Sequence, residues 1–378
     1  MLKKYYKSIS ILVFSVFMTS CGLFSNEETD DPGTDSPTEQ PSETPDEIDN
    51  GEETDTNGQS SEDEVNQDLS AWLPRLDNVV YSYEGIGNEF AEYNWTPQFN
   101  QDDYYQVANQ NPGTTLVEIF EYREDEIVRT FQRGETYFRD NFTEIGSFPD
   151  DRQEEVLLKA PIEIGNSWSN EDSDYEITAI DHEIEVPYGT FNAIEVTITT
   201  DDAVTKRYYV EDVGLVSEVF ESEGMTVESN LESVETDTPE ILPFTVFVPD
   251  DQAMGMDQVE AELLLNTNDP ARVAITELLS GQADGFENIN ILPEGTTINY
   301  LFLNNDNIVE VDVSSEFEEN MNAGSTGELF AVYTLVNTLS QYYGAQEVLL
   351  TVDGEPYAGA HMALQEGETL AFNEDMVN

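Results

Sequence analysis

The stretch that decides the fold of the larger folded part runs from residue 115 to residue 131 and reads TLVEIFEYREDEIVRTF. Two runs rich in apolar and β-branched residues, Thr115–Tyr122 and Glu126–Phe131, are separated by three charged residues, Arg123–Asp125. Such runs, joined by a short polar segment, are typical of a β-hairpin. The stretch therefore predicts two neighbouring antiparallel strands.

Similar runs continue on both sides of this hairpin. Alternation of apolar and polar residues marks half-buried strands, and strand candidates of this general kind lie at 79–83, 175–180, 193–198, 206–210 and 214–220. Between 72 and 235 we find no strong pattern for a long helix. We expect residues 70–236 to form an antiparallel β-rich domain, either a curved sheet or a sandwich.

The pattern changes after a short acidic linker that we place at Glu235–Glu240. Strand candidates at Phe244–Val248 and Val259–Leu265 come before a helix opened by Asp269 and Pro270. This opening is expected because Asp can cap free amides and Pro fits the first helical turn.

A hairpin at 297–303 and 308–313, a second helix from Ser325 to about Gln341, and a core strand at 347–352 complete the chain. Ser325 is expected to cap the second helix. The residues expected to face inward on it are Leu329, Val332, Val336 and Leu339. The order β(β)αββαβ predicts a small domain over residues 241–378, so the fold class of the whole chain is α+β.

The amino terminus has the pattern of a secretory signal. Lysines precede an apolar run, Ile9–Met18, which is shorter than the roughly 20 residues that a membrane-spanning helix needs. The sequence Met18-Thr19-Ser20-Cys21 resembles the bacterial lipobox, with Met where Leu is usual. We expect residues 1–20 to be a signal peptide cleaved between Ser20 and Cys21.

Cys21 is then expected to carry lipid, including palmitate, and to hold the protein on the extracellular face of the cell membrane. It is the one cysteine of the chain, and an unpaired thiol is unusual in an exported protein unless it has a chemical role. The alternative is an ordinary secreted protein with a chance cysteine near its cleavage site.

Charge excludes several partners. The formal net charge is −67, with 13 basic residues against 80 acidic residues, so nucleic acid and anionic lipid surfaces would repel the chain. After Cys21, residues 22–69 contain no Lys or Arg and are rich in Glu, Asp, Thr, Ser, Pro and Gly. Such a composition cannot form a core, which predicts an extended, disordered tether over residues 21–69.

The C-terminal part resembles the GerMN domain, the module named from spore germination proteins. The motifs that match it in order are Phe244–Pro249, Ala274–Gly281, Leu292–Thr296, Val311–Phe317, Val336–Leu339 and Val352–Glu355. The resemblance implies a small α+β fold in envelope lipoproteins and sporulation proteins, with no established catalytic residues.

The middle region is similar, less specifically, to a β-rich domain of other bacterial surface lipoproteins. The motifs that carry this resemblance are Ala160–Trp168, Val186–Phe191 and Tyr208–Val216. We know of no activity for that domain, and each motif also has a structural explanation in turns and sheet packing.

Candidate chemistry is sparse. His182 and His361 lack the spacing of a zinc site, and no catalytic residue, metal or cofactor is predicted. Two acidic turns offer weak calcium candidates: Asn170, Asp172, Asp174 and Glu176, and Asn304–Asn307. Both lack the glycine and bidentate Glu of a helix-loop-helix calcium site.

Aromatic residues are the remaining candidates for binding. Trp95, Tyr104 and Tyr105, together with Tyr93, lie in a loop-like stretch rich in Asn and Gln. They are candidates for an interaction surface that stacks on sugars or a peptide, and packing in a core is the competing explanation.

These patterns support a non-enzymatic envelope lipoprotein that presents two domains to a protein or peptidoglycan partner, with sporulation or germination as its setting. One alternative is a lipoprotein that binds a small or apolar ligand in a curved sheet, which would require a cavity within residues 72–235. Another is an enzyme that acts on the cell wall.

Overall fold

The computed structural model of the protein describes residues 68–145, 154–286 and 289–378. The predicted signal peptide, Cys21 and the acidic segment up to residue 67 lie outside the described residues. The described residues belong to one compact unit that spans 63–378, and the fold is mostly β. None of the helices in this described part is long and apolar enough to cross a membrane.

Leu69 corrects the predicted C-terminal limit of the tether. A 3₁₀ helix at Leu69–Ala71 is capped by the Asp68 carboxylate, which accepts a hydrogen bond from Ser70 N–H at 3.0 Å. Leu69 is buried and packs in a core with Leu73. Asp68 and Leu69 thus belong to the folded part because an apolar side chain anchors the turn they form.

Twelve antiparallel strands form one sheet between residues 79 and 236. The strands are β1 (Val79–Ile86), β2 (Tyr93–Gln101), β3 (Tyr104–Gln110), β4 (Thr115–Tyr122), β5 (Glu126–Arg133), β6 (Glu155–Lys159), β7 (Ser167–Asn170), β8 (Ser173–Val186), β9 (Gly189–Thr199), β10 (Ala203–Val210), β11 (Gly214–Ser222) and β12 (Met225–Thr236). A short helix, α1 (Phe142–Ile145), follows β5.

The strand order is β6-β5-β4-β3-β2-β1-β12-β11-β10-β9-β8-β7. Neighbours in the chain are neighbours in the sheet, with β1 paired to β12 in the middle, so β6 and β7 are the two edges. The hairpin predicted from residues 115–131 is β4 and β5.

The two edges of the sheet approach each other. Trp168 of β7 donates its indole N–H to the Val156 carbonyl of β6 at 2.8 Å. The Asn170 side chain accepts from Val156 N–H and donates to Val156 C=O, both at 3.0 Å. These bonds satisfy backbone groups that an open edge would expose, so the sheet is curved and nearly closed.

The C-terminal elements are β13 (Glu240–Pro249), β14 (Met256–Leu265), α2 (Ala271–Leu279), β15 (Ile298–Leu303), β16 (Ile308–Val313), α3 (Glu316–Glu319), α4 (Ser325–Tyr343), β17 (Glu347–Val352), β18 (Glu355–Pro356) and β19 (Leu370–Ala371). β13 and β14 form a separate two-stranded sheet. In the other sheet the order is β15-β16-β17-β18, and β19 also pairs with β17. β16 and β17 are parallel, which needs a crossover connection, supplied here by α4.

Neither predicted helix cap forms. Asp269 accepts hydrogen bonds from the backbone and side-chain N–H groups of Asn266, at 2.9 and 3.1 Å, so its carboxylate closes the preceding turn and Pro270 is the N-cap of α2. Ser325 is already the first residue of α4, and Gly324 occupies the cap position.

The predicted inward face of α4 is correct except at one position. Val332, Val336 and Leu339 are buried, whereas Leu329 is 40% exposed. Glu328 is buried instead, because its carboxylate accepts hydrogen bonds from the Tyr357 hydroxyl and the backbone N–H groups of 361 and 362. Successive helix positions are about 100° apart, so covering Glu328 turns Leu329 away from the packed side.

A buried ion pair joins the large sheet to the C-terminal elements. Arg139, between β5 and α1, donates Nη1 to Glu240 Oε2 at 2.8 Å and Nη2 to the carbonyls of Gln98 and Asn266, each at 2.6 Å. Glu240, assigned to a linker by the sequence, is therefore buried at the start of β13. β12 extends to Thr236, which leaves only residues 237–239 between the strands.

Candidate functional site

A cavity of about 200 Å³ lies inside the curved sheet. Its wall comes from alternate residues of several strands, because side chains on one face of a strand recur every second position. Leu73 and Pro74, which follow the 3₁₀ helix, also line it. The aromatic part of the wall consists of Tyr81, Tyr83, Tyr93, Trp95, Phe120 and Tyr209.

Strand register brings four of these rings together. Tyr81 pairs with Trp95 and Tyr83 with Tyr93 across β1 and β2. The Tyr83 and Tyr93 rings are stacked, with centroids 4.3 Å apart, and Trp95 meets Tyr81 edge-on at 5.4 Å. Cross-strand aromatic pairs of this kind stabilise a sheet, and here all four rings also line the cavity.

Five charged side chains form a chain of ion pairs beside the rings. Arg129 holds Glu118, at 2.7 Å, and Glu155. Arg207 holds Glu155 at 2.8 Å and Glu218 at 2.6 Å. Each guanidinium thus binds two carboxylates, with Glu155 shared between them.

The environment keeps the Glu155 carboxylate charged and the Tyr81 and Tyr93 hydroxyls neutral. Burial works to raise the pKa of Glu155, but the guanidinium groups of Arg207 and Arg129 outweigh it and hold that pKa below its usual range. Burial raises the pKa of Tyr81 to about 12 and that of Tyr93 well above its usual value.

The structure places the predicted interaction residues Trp95, Tyr104 and Tyr105 in different environments. They lie on strands β2 and β3, not on a loop. Trp95 lines the cavity, while Tyr105 is fully buried and donates its hydroxyl to Leu76 C=O at 2.6 Å. Tyr104, one position earlier on β3, packs against the C-terminal core on the opposite face, so the three do not share one surface.

Sequence reasoning missed the residues that complete the cavity wall, chiefly Tyr83, Glu118, Arg129 and Arg207. One signal was available: in a chain with so few basic residues, arginines in the interior of strands need buried acidic partners. The strands that would supply those partners are far apart in sequence.

The other sequence candidates have structural contacts. The His182 ring lies 5.2 Å from the Tyr208 ring, and Asn170 joins β7 to β6. Asn304 Oδ1 accepts from the N–H groups of Asp306 and Ile308, at 2.9 and 3.0 Å, which builds the turn between β15 and β16. Within the described ranges no group of three or more His, Cys, Asp or Glu side chains is placed to hold a metal.

Residues 245–358 match the family described as Germane: Sporulation and spore germination. The C-terminal region of the chain therefore carries a GerMN-type domain. A search of curated protein sequences gives no match.

Solved structures give low overall similarity. An exported protein of Bacteroides fragilis is 11% identical, with a TM-score of 0.27 over 43% of this chain and 98% of its own. A lipoprotein of Parabacteroides distasonis is 13% identical, with a TM-score of 0.27 over 43% and 97%. The tandem GerMN domains of the Bacillus subtilis sporulation protein GerM are 19% identical, with a TM-score of 0.25 over 35% and 46%.

Proposed function

We propose, on the basis of the Germane domain at residues 245–358, that the protein is a lipid-anchored envelope protein that acts in sporulation or germination. The lipobox-like sequence ending at Cys21 supports the anchor. The acidic segment after it supports a spacer role, because like charges extend a chain. In this proposal the compact unit 63–378 is presented to a protein or peptidoglycan partner outside the membrane.

The anchor is tested by Cys21→Ser in the expressing cell. Labelling with radioactive palmitate should mark the wild-type protein and not the variant, and the variant should leave the membrane fraction. Ser8→Ala, in the same amino-terminal segment, is the control and should keep both label and location. Retention of Cys21→Ser in the membrane at the wild-type level would contradict lipid anchoring.

The partner is tested with the full-length protein immobilised through a C-terminal tag. Envelope extracts from sporulating cells should yield a specific protein or peptidoglycan fragment that vegetative extracts do not. Deletion of the gene should lower the fraction of spores that germinate. If no specific component is retained and germination is unchanged, the proposed role fails.

A non-enzymatic role suits the charged groups in the sheet interior. The carboxylates and guanidinium groups beside the cavity are engaged with one another, and a general acid or base needs a group free to exchange a proton with substrate. Incubation of the protein with peptidoglycan fragments should release no product. Turnover that requires the intact protein would instead support a wall-acting enzyme.

The cavity supports a second candidate function, the binding of a small ligand inside the curved sheet. Ligand sites are concave, mostly apolar and carry a few placed polar groups, and the described cavity has this character. Thermal unfolding of the full chain with a panel of small molecules should reveal at least one that raises the unfolding temperature, because a ligand of the native state stabilises it.

A further inference from the structure

We propose that the cavity selects a small organic cation with a single positive charge, of the alkylated ammonium class. The inference rests on the second proposed function, ligand binding in the cavity, and adds the chemistry of the ligand. Three features of the site support it: its charge balance, its ring surface and its volume.

The charge balance is one negative charge in excess. Glu118, Glu155 and Glu218 are three carboxylates, and Arg129 and Arg207 are the two guanidinium groups that hold them. Glu118 and Glu155 are only 8% and 15% exposed, although Glu218 is 36% exposed. An excess charge beside buried groups is unfavourable, so a ligand with one positive charge improves the site. An anion would double the imbalance, and both guanidinium groups already bind two carboxylates each.

The ring surface is suited to a cation without N–H donors. Aromatic faces attract cations by their quadrupole, and clusters of such rings bind quaternary ammonium groups. Tyr83 donates its hydroxyl to Leu215 C=O at 2.7 Å, so the hydroxyl is engaged, and the ring, which is stacked on Tyr93 on one side, lines the cavity. Trp95, the ring type with the strongest cation attraction, lies in the same wall.

The volume limits the size of the ligand. A cavity of roughly 150 Å³ accommodates a molecule the size of benzene, and this cavity measures about 200 Å³. Tetramethylammonium and choline are of suitable size.

Matched ligands give a direct test with the full-length protein. Titration calorimetry should show choline and tetramethylammonium binding at least ten times more tightly than 3,3-dimethylbutan-1-ol, which has the shape of choline without its charge. Equal affinity for the two would overturn the cation inference while leaving ligand binding intact. No heat with any of the three would overturn the cation inference, and the panel of small molecules in the unfolding experiment would then decide ligand binding itself.

Variants then locate the effect. Glu118→Gln removes the excess charge next to the rings and should abolish the preference for choline over its neutral analogue. Glu218→Gln removes the same charge from a side chain that is 36% exposed, so it provides the measurement if Glu118→Gln fails to fold. Choline binding unchanged in Glu218→Gln would contradict the charge argument.

Glu121→Gln is the matched control. Glu121 lies on the same strand as Glu118, pairs with Arg123 at 2.7 Å and does not line the cavity. It removes an equal charge from the opposite face of the strand, where the side chain is 24% exposed compared with 8% for Glu118. The affinity of the Glu121→Gln variant for choline should equal that of the wild type. A loss of affinity as large as that in Glu118→Gln would show that the effect is not local to the cavity.

Discussion

Arg139 shows what a single residue does for this protein. It is among the largest fully buried side chains of the described residues, and its guanidinium lies over the Phe99 ring at 4.9 Å. Burial raises the pKa of Glu240 above its usual range, and the charge of Arg139 limits that rise. A charge pair this deep adds little net stability over an apolar pair, but removal of one partner leaves the other uncompensated.

Replacement of Arg139 by Leu should therefore lower the free energy of unfolding by about 3–5 kcal/mol. This loss of unfolding free energy is measured by urea unfolding, with tryptophan fluorescence as the signal. Arg123→Leu, which breaks a partly exposed cluster with Glu121, Glu126 and Glu154, is the control and should cost about 1 kcal/mol or less. Equal losses in the two variants would refute the role given to burial.

Asp140 is the residue expected to make stability depend on pH. Burial raises its pKa to about 7, although Leu303 N–H and the Tyr343 hydroxyl both donate to its carboxylate. In the unfolded chain the pKa is near 3.8. The folded state thus holds the proton more tightly, and this contribution is fully present below about pH 4 and lost as the pH rises through about 7.

Asp140→Asn keeps one acceptor oxygen for Leu303 N–H, places an NH2 group beside the Tyr343 hydroxyl oxygen, which can accept, and cannot ionise. Relative to wild type, the variant should gain stability as the pH rises from 4 to 8, by at most about 4 kcal/mol. Denaturant unfolding of both proteins across this pH range gives the difference between their free energies of unfolding. The contribution of the other carboxylates is the same in both proteins and cancels in this difference. A difference that is flat with pH would show that Asp140 does not titrate in this window.

At the scale of elements, the edges of the twelve-stranded sheet are the informative feature. Trp168 and Asn170 of β7 satisfy backbone groups of β6 with side chains, where a regular ladder would use backbone bonds. Such a contact closes the sheet around the cavity without adding a strand. The shape of the cavity depends on this closure, since the cavity wall includes residues from both halves of the sheet.

Asn170→Ala removes two of these bonds and should cost about 1–3 kcal/mol, because Val156 N–H loses its partner while Val156 C=O keeps only the Trp168 indole N–H. Hydrogen exchange should speed up at β6 and β7 more than at β1 and β12. Ser169→Ala is the control, since its hydroxyl bonds only to Asp174 at an exposed site. Uniform exchange along the whole sheet in Asn170→Ala would contradict a local role in closure.

At the scale of the whole molecule, the sheet and the C-terminal elements share one core. Val117, Ile119 and Phe131 of the sheet pack in the same cluster as residues of β13, α2 and α4. The Arg139–Glu240 pair lies at this junction. Neither part buries its apolar surface fully without the other, which makes them dependent on each other for stability.

We therefore expect the two parts to unfold in a single cooperative transition. Calorimetry of the full chain should give one peak whose calorimetric and van't Hoff enthalpies agree. Arg139→Leu should move that peak to lower temperature without splitting it. Two separate peaks in the wild type would show that the parts are independent domains.

The sequence by itself determined the local elements and the broad class of the chain. The hairpin at 115–131, the strands after it and both main C-terminal helices follow from residue periodicity, which is a property of neighbours along the chain. The resemblance to GerMN domains is confirmed by the family match at 245–358. The helix cap at Asp269 was predicted wrongly because its carboxylate closes the local turn with Asn266. The burial of Leu329 was predicted wrongly because contacts from the distant segment 357–362 cover Glu328 instead.

Only the tertiary structure decided the cavity and the junction. β4 contains apolar residues on both faces: Phe120 points toward the interior core, and Val117 and Ile119 point toward the C-terminal core. The sequence TLVEIFEY does not say which face meets which partner, because pairing of β1 with β12 joins residues more than 140 positions apart. The opening stretch therefore identified two strands, and long-range packing made one of them a wall between the cavity and a second core.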